Sequence, residues 1–345
     1  MSSPTIRDVA REAAVSVASV SRVINGHSNV RPEMRAKVEA AALALGFTPH
    51  AGARNLSLSR TGSIGVVLPD LHGEFFSELV RGMDGAASTR DFQLLLSNVH
   101  SEPSPAVAAL RTMRGRVDGL VVMAPHIDPE LLFAQLPSSL PVLLLNCGTD
   151  EHDHAELRID NHAGAVAMTE HLIATGRRRI AHLAGPQDNS EARERRRGYE
   201  DVMRAHDLEP QVMSGDFLEA SGTRAAEQIL ATEQRPDALF AANDGMAIGA
   251  LVALRRGGLT VPGDIAVTGF DDIPLTRLVS PSVTTMSVDI AALGARAIER
   301  LCAIIDGGED QRVEMASPRL VIRETCSGAT GSAPSTTQHV RNREK

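Results

Sequence analysis

The sequence predicts a small all-helical head followed by two α/β lobes, and three observations carry that prediction. Residues 5–45 hold three short apolar patterns at helical period and no strand-like run. From Thr61 the pattern changes to short Val- and Leu-rich runs alternating with helical stretches, as in a parallel sheet covered on both faces. Charge divides at the same place. Residues 1–60 hold eight Lys and Arg against four Asp and Glu, whereas the rest of the 345-residue chain holds 27 against 39, and the whole carries −8. A basic head on an acidic body fits nucleic-acid binding through the head alone.

The head opens with TIRDVAREAAVSVASVSRVIN (5–25). Ile6, Val9, Ala10 and Ala13 recur on one helical face, with Thr5 and Asp8 spaced as a capping box. Ala14 and Val15 break the pattern, and Ser16 caps a second helix that turns Val20, Val23 and Ile24 inward. Val17, Ala18, Ser21 and Arg22 project from its other side, and Asn25-Gly26 stops it. Two short helices joined by a tight turn form a helix-turn-helix, whose second helix can enter the DNA major groove. The alternative is an αα-hairpin inside a core, which does not require an outward face of small side chains, hydroxyls and one arginine. A third helix begins at Pro32, carries Val38, Ala41, Ala42 and Leu45, and ends at Gly46.

Residues 49–60 are too short and too weakly helical to bury a face alone, and read as a linker or hinge after a head spanning 1–48. Strands are expected at 63–70, 92–98, 119–125 and 141–146, then at 179–185, 238–244 and 265–272, with a closing strand at 318–325. Helices are expected between them at 75–89, 106–114, 163–174, 190–205, 221–231, 245–255 and 293–305. Two successive lobes imply a cleft, and ligands of such sheets bind beyond the carboxyl ends of strands, where Asp70, Asn146, Asn243 and Asp271 fall. The effector region is expected to span 61–326. Its first lobe takes 61–157 plus 290–316, and its second 158–289 plus 317–326. Residues 327–345 are polar, small and expected to be disordered.

No apolar run is long enough to span a bilayer, and the N-terminus lacks the apolar core of a signal peptide, so a cytoplasmic protein is expected. Cys147, Cys302 and Cys326 are scattered, which suggests buried or incidental thiols and not a disulfide framework or a metal cluster. No G-x-G-x-x-G follows the first strand and no Walker loop appears, so neither a cofactor nor an enzymatic role is expected. His152, His154 and Glu156 could ligate a metal, but a solvated acidic turn is the expectation for EHDHAE, and no metal site is assigned. Arg177 to Arg179 follow a helix and are expected to serve its C-terminal end.

A head of this kind, a short linker and two α/β lobes resemble the lactose-repressor/galactose-repressor (LacI/GalR) family of bacterial transcription regulators. The resemblance runs from about residue 5 to 325. It rests on DVAREAAVSVASVSRVIN, the spacing of Pro49, Ala53 and Leu56, FFSELVRGMDGAA, Arg195 with Gly198, AANDGMAIGAL, and VTGFDDIP followed by LVSPSVTT. It implies a two-lobed, periplasmic-binding-protein-like effector domain and a homodimer on palindromic double-stranded operator DNA. A small effector, a sugar in the first instance, would control operator affinity. In the head it implies base readout by Val17 and Ala18, a guanine contact from Arg22, and backbone anchors at Ser16, Ser21 and Asn25. Thr5 is counted with these DNA-facing residues, and Ala53 and Leu56 would form an apolar minor-groove wedge in a hinge helix.

For the cleft, the resemblance implies that Arg195, Asn243 and Asp271 bind hydroxyls and that Phe217 stacks on the ligand. Phe75 and Phe76 would reach in from the first lobe, and Asn146 would add a polar contact. Asp70 and Asp160 are weaker candidates, while Asp244 and Asp272 are expected to be structural. Val288 stands where some relatives carry glutamine. The rival is a periplasmic-type sugar-binding protein without a regulatory role.

Overall fold

The computed structural model describes residues 4–24, 29–47, 60–99, 103–138, 140–147, 152–310 and 312–326. Asn25, Ala53 and Leu56 of the expected hinge, and the tail from 327 lie outside them.

The head contains α1 (Ile6–Glu12), α2 (Val17–Ile24) and α3 (Pro32–Leu45). The Asp8 carboxylate accepts hydrogen bonds from the Thr5 N–H (3.0 Å) and hydroxyl (2.7 Å), which ties down the entrance of α1. Val9, Ala10 and Ala13 meet Val20, Val23, Val38 and Ala41 in one small core, with Leu45 and Phe47 against it. The turn between α1 and α2 places Ala14 at φ 49°, in the left-handed region. A β-carbon is unfavourable there, and glycine is the residue that region prefers.

The first lobe is built on β1 (Ser63–Leu68), β2 (Gln93–Asn98), β3 (Gly119–Met123), β4 (Val142–Leu145), β5 (Ala155–Ile159) and β11 (Val313–Ala316). They form one parallel sheet in the order β11-β5-β4-β3-β1-β2. The second lobe has β6 (Ile180–Ala184), β7 (Gln211–Ser214), β8 (Ala238–Ala241) and β9 (Ala266–Thr268), parallel in the order β7-β6-β8-β9. A short antiparallel pair, β10 (Thr285–Ser287) with β12 (Arg319–Val321), lies beside the chain's last two crossings between lobes. Strands β5, β7, β10 and β11 were not among those expected.

Helices cover both sheets: α4 (Glu74–Ser88), α5 (Pro103–Met113), α6 (Pro129–Phe133) and α11 (Ile290–Ile305) in the first lobe, α7 (Asn161–Ala174), α8 (Ser190–Ala205), α9 (Glu219–Ala231) and α10 (Asp244–Arg256) in the second. Two helix pairs sit at backbone contact. A β-carbon on Gly82 of α4 would come within 1.9 Å of the Ala291 carbonyl on α11, and one on Gly294 within 2.2 Å of Leu79 O. Gly222 and Gly249 do the same for α9 and α10, at 2.0 and 2.1 Å.

Both sheets reverse direction beside their first strand, between β1 and β3 and between β6 and β8. Open α/β sheets leave a crevice at such switch points. Here the two crevices face each other, and the chain after β1, β3, β6 and β8 lines one cavity. Among the described residues no helix is long and apolar enough to cross a membrane.

The EHDHAE stretch is a correction. Glu156 lies on β5 and is fully buried. It accepts from the Cys147 N–H (2.8 Å), pairs with Arg158 (2.6 Å) and meets His152 Nε2 at 2.8 Å. Parallel pairing to β4 and β11 brings it into the sheet, so it is a buried network and not a solvated turn. Among the described residues no metal-holding cluster is present. Arg178 does serve its helix end, donating to the Ile173 carbonyl at 2.7 Å.

Replacing Ala14 with glycine is expected to stabilise the head by about 0.5–1 kcal/mol, by relieving the left-handed residue at some cost in chain entropy. A thermal melt of the head transition measures it, and an unchanged or lower melting temperature contradicts the account.

Candidate functional site

On the head, α2 separates its faces as its pattern requires. Val20 and Val23 are buried, while Ser16, Val17, Ala18 and Arg22 are exposed and Ser21 is half-buried. Ser16 is the cap: its Oγ accepts the Ser19 N–H at 3.1 Å and lies 2.9 Å from the Ser19 hydroxyl. Val17, 43% exposed, stands outside the head core, so α2 presents an apolar, shallow surface with one guanidinium at its end.

The cavity between the lobes encloses about 200 Å³, a volume suited to a compact ligand. Asp70, Phe75, Phe76, Arg195, Phe217, Asn243 and Asp271 all line it. Asn146 does not. Its side chain is buried behind the wall, donating to Glu191 Oε1 (2.8 Å) and accepting from the Ile159 N–H (2.7 Å), so it ties the lobes together and does not face a ligand. Asp160 caps α7 through the Ala163 N–H and is likewise absent from the wall.

Arg195 organises the second-lobe side. It sits on α8, whose close approach to α7 depends on Gly198, where a β-carbon would meet the His162 carbonyl at 2.5 Å. This explains the Arg-x-x-Gly spacing: one turn presents the charge and the next removes a side chain. Arg195 Nε donates to Asn161 Oδ1 (2.7 Å) and its Nη1 to the Ala242 carbonyl (2.5 Å). Its guanidinium carbon lies 4.0 Å from the Phe270 ring centre. Its Nη2 is 3.3 Å from Asp271 Oδ1 and 4.0 Å from Glu191 Oε1. Arg195 is 3% exposed and Asp271 5%, yet Asp271 Oδ1 accepts no aligned hydrogen bond.

Burial pushes the Asp271 carboxyl up to about 7, with the Arg195 charge opposing and Glu191 reinforcing the rise. Glu191 is also raised by burial, against Arg195 and Asn161. Asp244 lies deeper, well above its ordinary value through burial and the Asp271 charge. It accepts the Thr285 hydroxyl (2.6 Å) and the Ile273 N–H (3.0 Å). Asp272 pairs with Arg323 at 2.6 Å, a structural role.

Phe217 is held at φ 67° and Asp271 at φ 110°, conformations that L-residues adopt rarely and that cluster at working sites. A β-carbon on Gly185 would stand 2.5 Å from the Phe217 ring, so that glycine clears the space in which the ring lies. Asn243 caps α10 through the Met246 N–H (2.9 Å) and donates to the Phe217 carbonyl (2.9 Å), fixing the loop that carries the ring.

Comparison with known proteins agrees with both parts. Residues 5–50 match the family model for bacterial regulatory proteins of the lacI family, and 169–326 that for a periplasmic binding protein-like domain. The ribose operon repressor of Escherichia coli K12 is 36% identical over 302 residues, 86% of this chain and 92% of its own. The HTH-type transcriptional repressor PurR of Pectobacterium carotovorum is 35% identical over 329 residues, 93% of this chain and 96% of its own. The chain belongs to the lacI family. A crystal structure of the lac repressor dimer, bound to operator and the anti-inducer ONPF, superposes with a TM-score of 0.87 at 30% identity. It covers 95% of this chain and 100% of that one.

This lacI-family protein is therefore a DNA-binding regulator of transcription with a periplasmic-binding-protein-like second region, and not an enzyme. As a bacterial regulator of this family it is cytoplasmic. Sequence reasoning missed Glu191, the carboxylate that joins Arg195 to Asn146 across the lobes. Its i, i+4 spacing from Arg195 was the available signal. His126 was missed as well; its ring lies 3.2 Å from Asn189 in the opposite lobe.

Below about pH 4 both folded and unfolded chains hold the Asp271 proton; between about 4 and 7 only the folded chain holds it, so stability falls as pH rises through that window and is level above it. Asp271→Asn, which mimics the protonated form, is expected to raise the melting temperature at about pH 8, with the advantage shrinking by about pH 5. No advantage at the higher pH contradicts the assignment.

Proposed function

We propose that this regulator represses transcription from a palindromic operator, which its homodimer grips through the outward faces of two α2 helices. A compact polyol, a sugar in the first instance, enters the cavity and sets the affinity for that operator. The observation that carries the effector half is the convergence of both switch points on one cavity. Its wall sets the Arg195–Asp271 pair near the Phe217 ring. Sugars need paired polar groups for vicinal hydroxyls and an apolar plate for the ring face, and both are present. The ribose operon repressor among the relatives supports the same class.

In the head, Val17 and Ala18 suit contact with thymine methyls, and Arg22 suits a bidentate guanine contact worth about 1–3 kcal/mol of discrimination. Ser16 and Ser21 would position the helix on the backbone, beside Thr5 at the entrance of α1. Ligand and operator meet thermodynamically through lobe closure. Asn146–Glu191, the Ser190 N–H to Pro125 O bond (3.1 Å) and the Leu275 N–H to Glu74 contact (2.9 Å) all cross between lobes and must adjust as the cleft changes. The rival, a sugar-binding protein without a regulatory role, has no use for the head.

The first-lobe sheet ends on β2, where Leu95 and Leu96 are 40% and 44% exposed. Neighbouring leucines on an edge strand call for a cover, and we assign that cover to the second copy of the chain.

Arg22→Ala is expected to weaken operator binding about ten- to a hundredfold in a mobility-shift assay while leaving ligand-induced thermal stabilisation intact. Normal operator binding by that variant refutes the role given to α2. Phe217→Ala should do the reverse, keeping operator binding and losing the effector response. This variant is preferable to Arg195→Ala, which would strand buried carboxylates at a cost of about 3–5 kcal/mol. Leu96→Glu should sediment as a monomer; a dimer of unchanged stability places the interface elsewhere.

A further inference from the structure

The cavity's charge balance defines its ligand more narrowly than the word sugar does. Among the described lining residues stand six carboxylates, Asp70, Glu74, Glu191, Asp216, Glu219 and Asp271, and one Lys or Arg side chain, that of Arg195. That single guanidinium is committed. Asn161 and the Ala242 carbonyl take two of its nitrogens, Phe270 covers its face, and the third nitrogen is shared between Asp271 and Glu191. From outside the wall, Arg224 answers Asp216 at 2.9 Å. Among the described residues, Asp70 and Glu74 accept only backbone N–H groups, from Leu71 and His72 and from Leu275.

The helix N-termini at the cavity do not reverse this balance. Asn189 caps α8 through the Ala192 N–H, and Asn243 caps α10 through the Met246 N–H. The N-termini of α4 and α9, which lack side-chain caps, also reach the wall, and all four first turns carry an acid, Glu74, Glu191, Glu219 and Asp244, that offsets the positive end of the helix dipole. What Asp271 lacks is an aligned donor, although Arg195 Nη2 stands 3.3 Å away. Asp271 Oδ1, nine-tenths buried and lining the cavity, accepts no aligned hydrogen bond.

We propose that the effector carries no negative charge: the cavity accepts neutral or amine-bearing polyols, whose hydroxyl or ammonium donors reach Asp271, and rejects phosphorylated and carboxylated ones. This rests on reading the cavity as the effector site. An anionic group near Arg195 would have to compete with Asp271 and Glu191 for a cation they already share, inside a wall where charges are poorly screened. A neutral hydroxyl meets no such competition, and an ammonium is favoured by the surplus of carboxylates.

The test uses the full-length protein, inorganic phosphate as probe, and matched sets of glucose, glucosamine and glucose 6-phosphate with ribose and ribose 5-phosphate, followed by calorimetry and thermal shift. The wild type is expected to show no phosphate binding at millimolar concentration. Glu191→Gln/Asp271→Asn, which frees the guanidinium, is expected to gain phosphate affinity by about tenfold or more, and Arg195→Gln on that background removes the gain. Glu191→Gln alone gives the same direction should the double variant unfold. Wild-type binding of phosphate or a phosphorylated sugar that Arg195→Gln abolishes overturns the proposal, as does a folded double variant without the gain. If phosphate is excluded and gained as expected but no neutral or aminated sugar binds, the charge selection stands and only the polyol reading of the site falls.

Discussion

The contact between Arg195 and Asp271, buried between Phe270 and the cavity, is the constraint on which the effector region turns. A buried ion pair is a poor way to hold a fold together, because desolvation of both groups offsets their attraction unless hydrogen bonds complete them. Arg195 is largely completed, by Asn161 and the Ala242 carbonyl. Asp271 is not; one oxygen is left without an aligned donor and the backbone beneath it is in an unfavoured conformation. Neighbouring structure sustains that arrangement, through the close helix packing at Gly198 and the Asp271 N–H to Met286 O bond at 2.8 Å. An incomplete buried group held in place by complete ones suits the effector site proposed above, being prearranged for a donor that a ligand would supply.

The same network reaches the boundary between the lobes. Glu191 meets Arg195 on one side and Asn146 on the other, and Asn146 also holds the Ile159 N–H at the point where the chain first crosses into the second lobe. A ligand that satisfies Asp271 changes what Arg195 offers to Glu191, and so what Glu191 offers across the cleft. Coupling of cavity to operator then needs no special messenger, only two arrangements of the lobes with different interlobe contacts. The α4–α11 and α9–α10 pairs sit at backbone contact, packing that favours movement of each lobe as one body.

Much of this was legible in the sequence, for identifiable reasons. Helical period, Ser16 as a cap and Gly46 as a stop expose the three head helices because those signals are local. The strands buried on both faces announce themselves as unbroken apolar runs, as in SIGVVL and GLVVM. Strand β5 escaped because AELRI alternates charge with apolar side chains, and its two charges, Glu156 and Arg158, are accommodated by pairing with each other in the sheet. Strands β7 and β11 escaped because edge strands are short and half-exposed.

Site residues divide the same way. Arg195, Asn243 and Asp271 carried motif context, whereas Glu191 lay hidden in the charged run SEARERRR, where only its i, i+4 spacing from Arg195 marks the acid that turns inward. Asn146 was placed at the correct strand end and yet on the wrong side of the wall, because its left-handed backbone, φ 51°, turns the side chain toward Glu191 and Ile159.

The most direct measurement is the titration of Asp271 itself. Carbon-13 spectra of the ligand-free protein labelled at aspartate carboxyls, taken with and without Asp271→Asn, isolate that one resonance. A midpoint near 7 is the result expected of an uncompensated carboxyl beside a shared guanidinium. A midpoint in the ordinary aspartate range would mean that Arg195 or solvent already satisfies it, and that the cavity is not built around a missing donor.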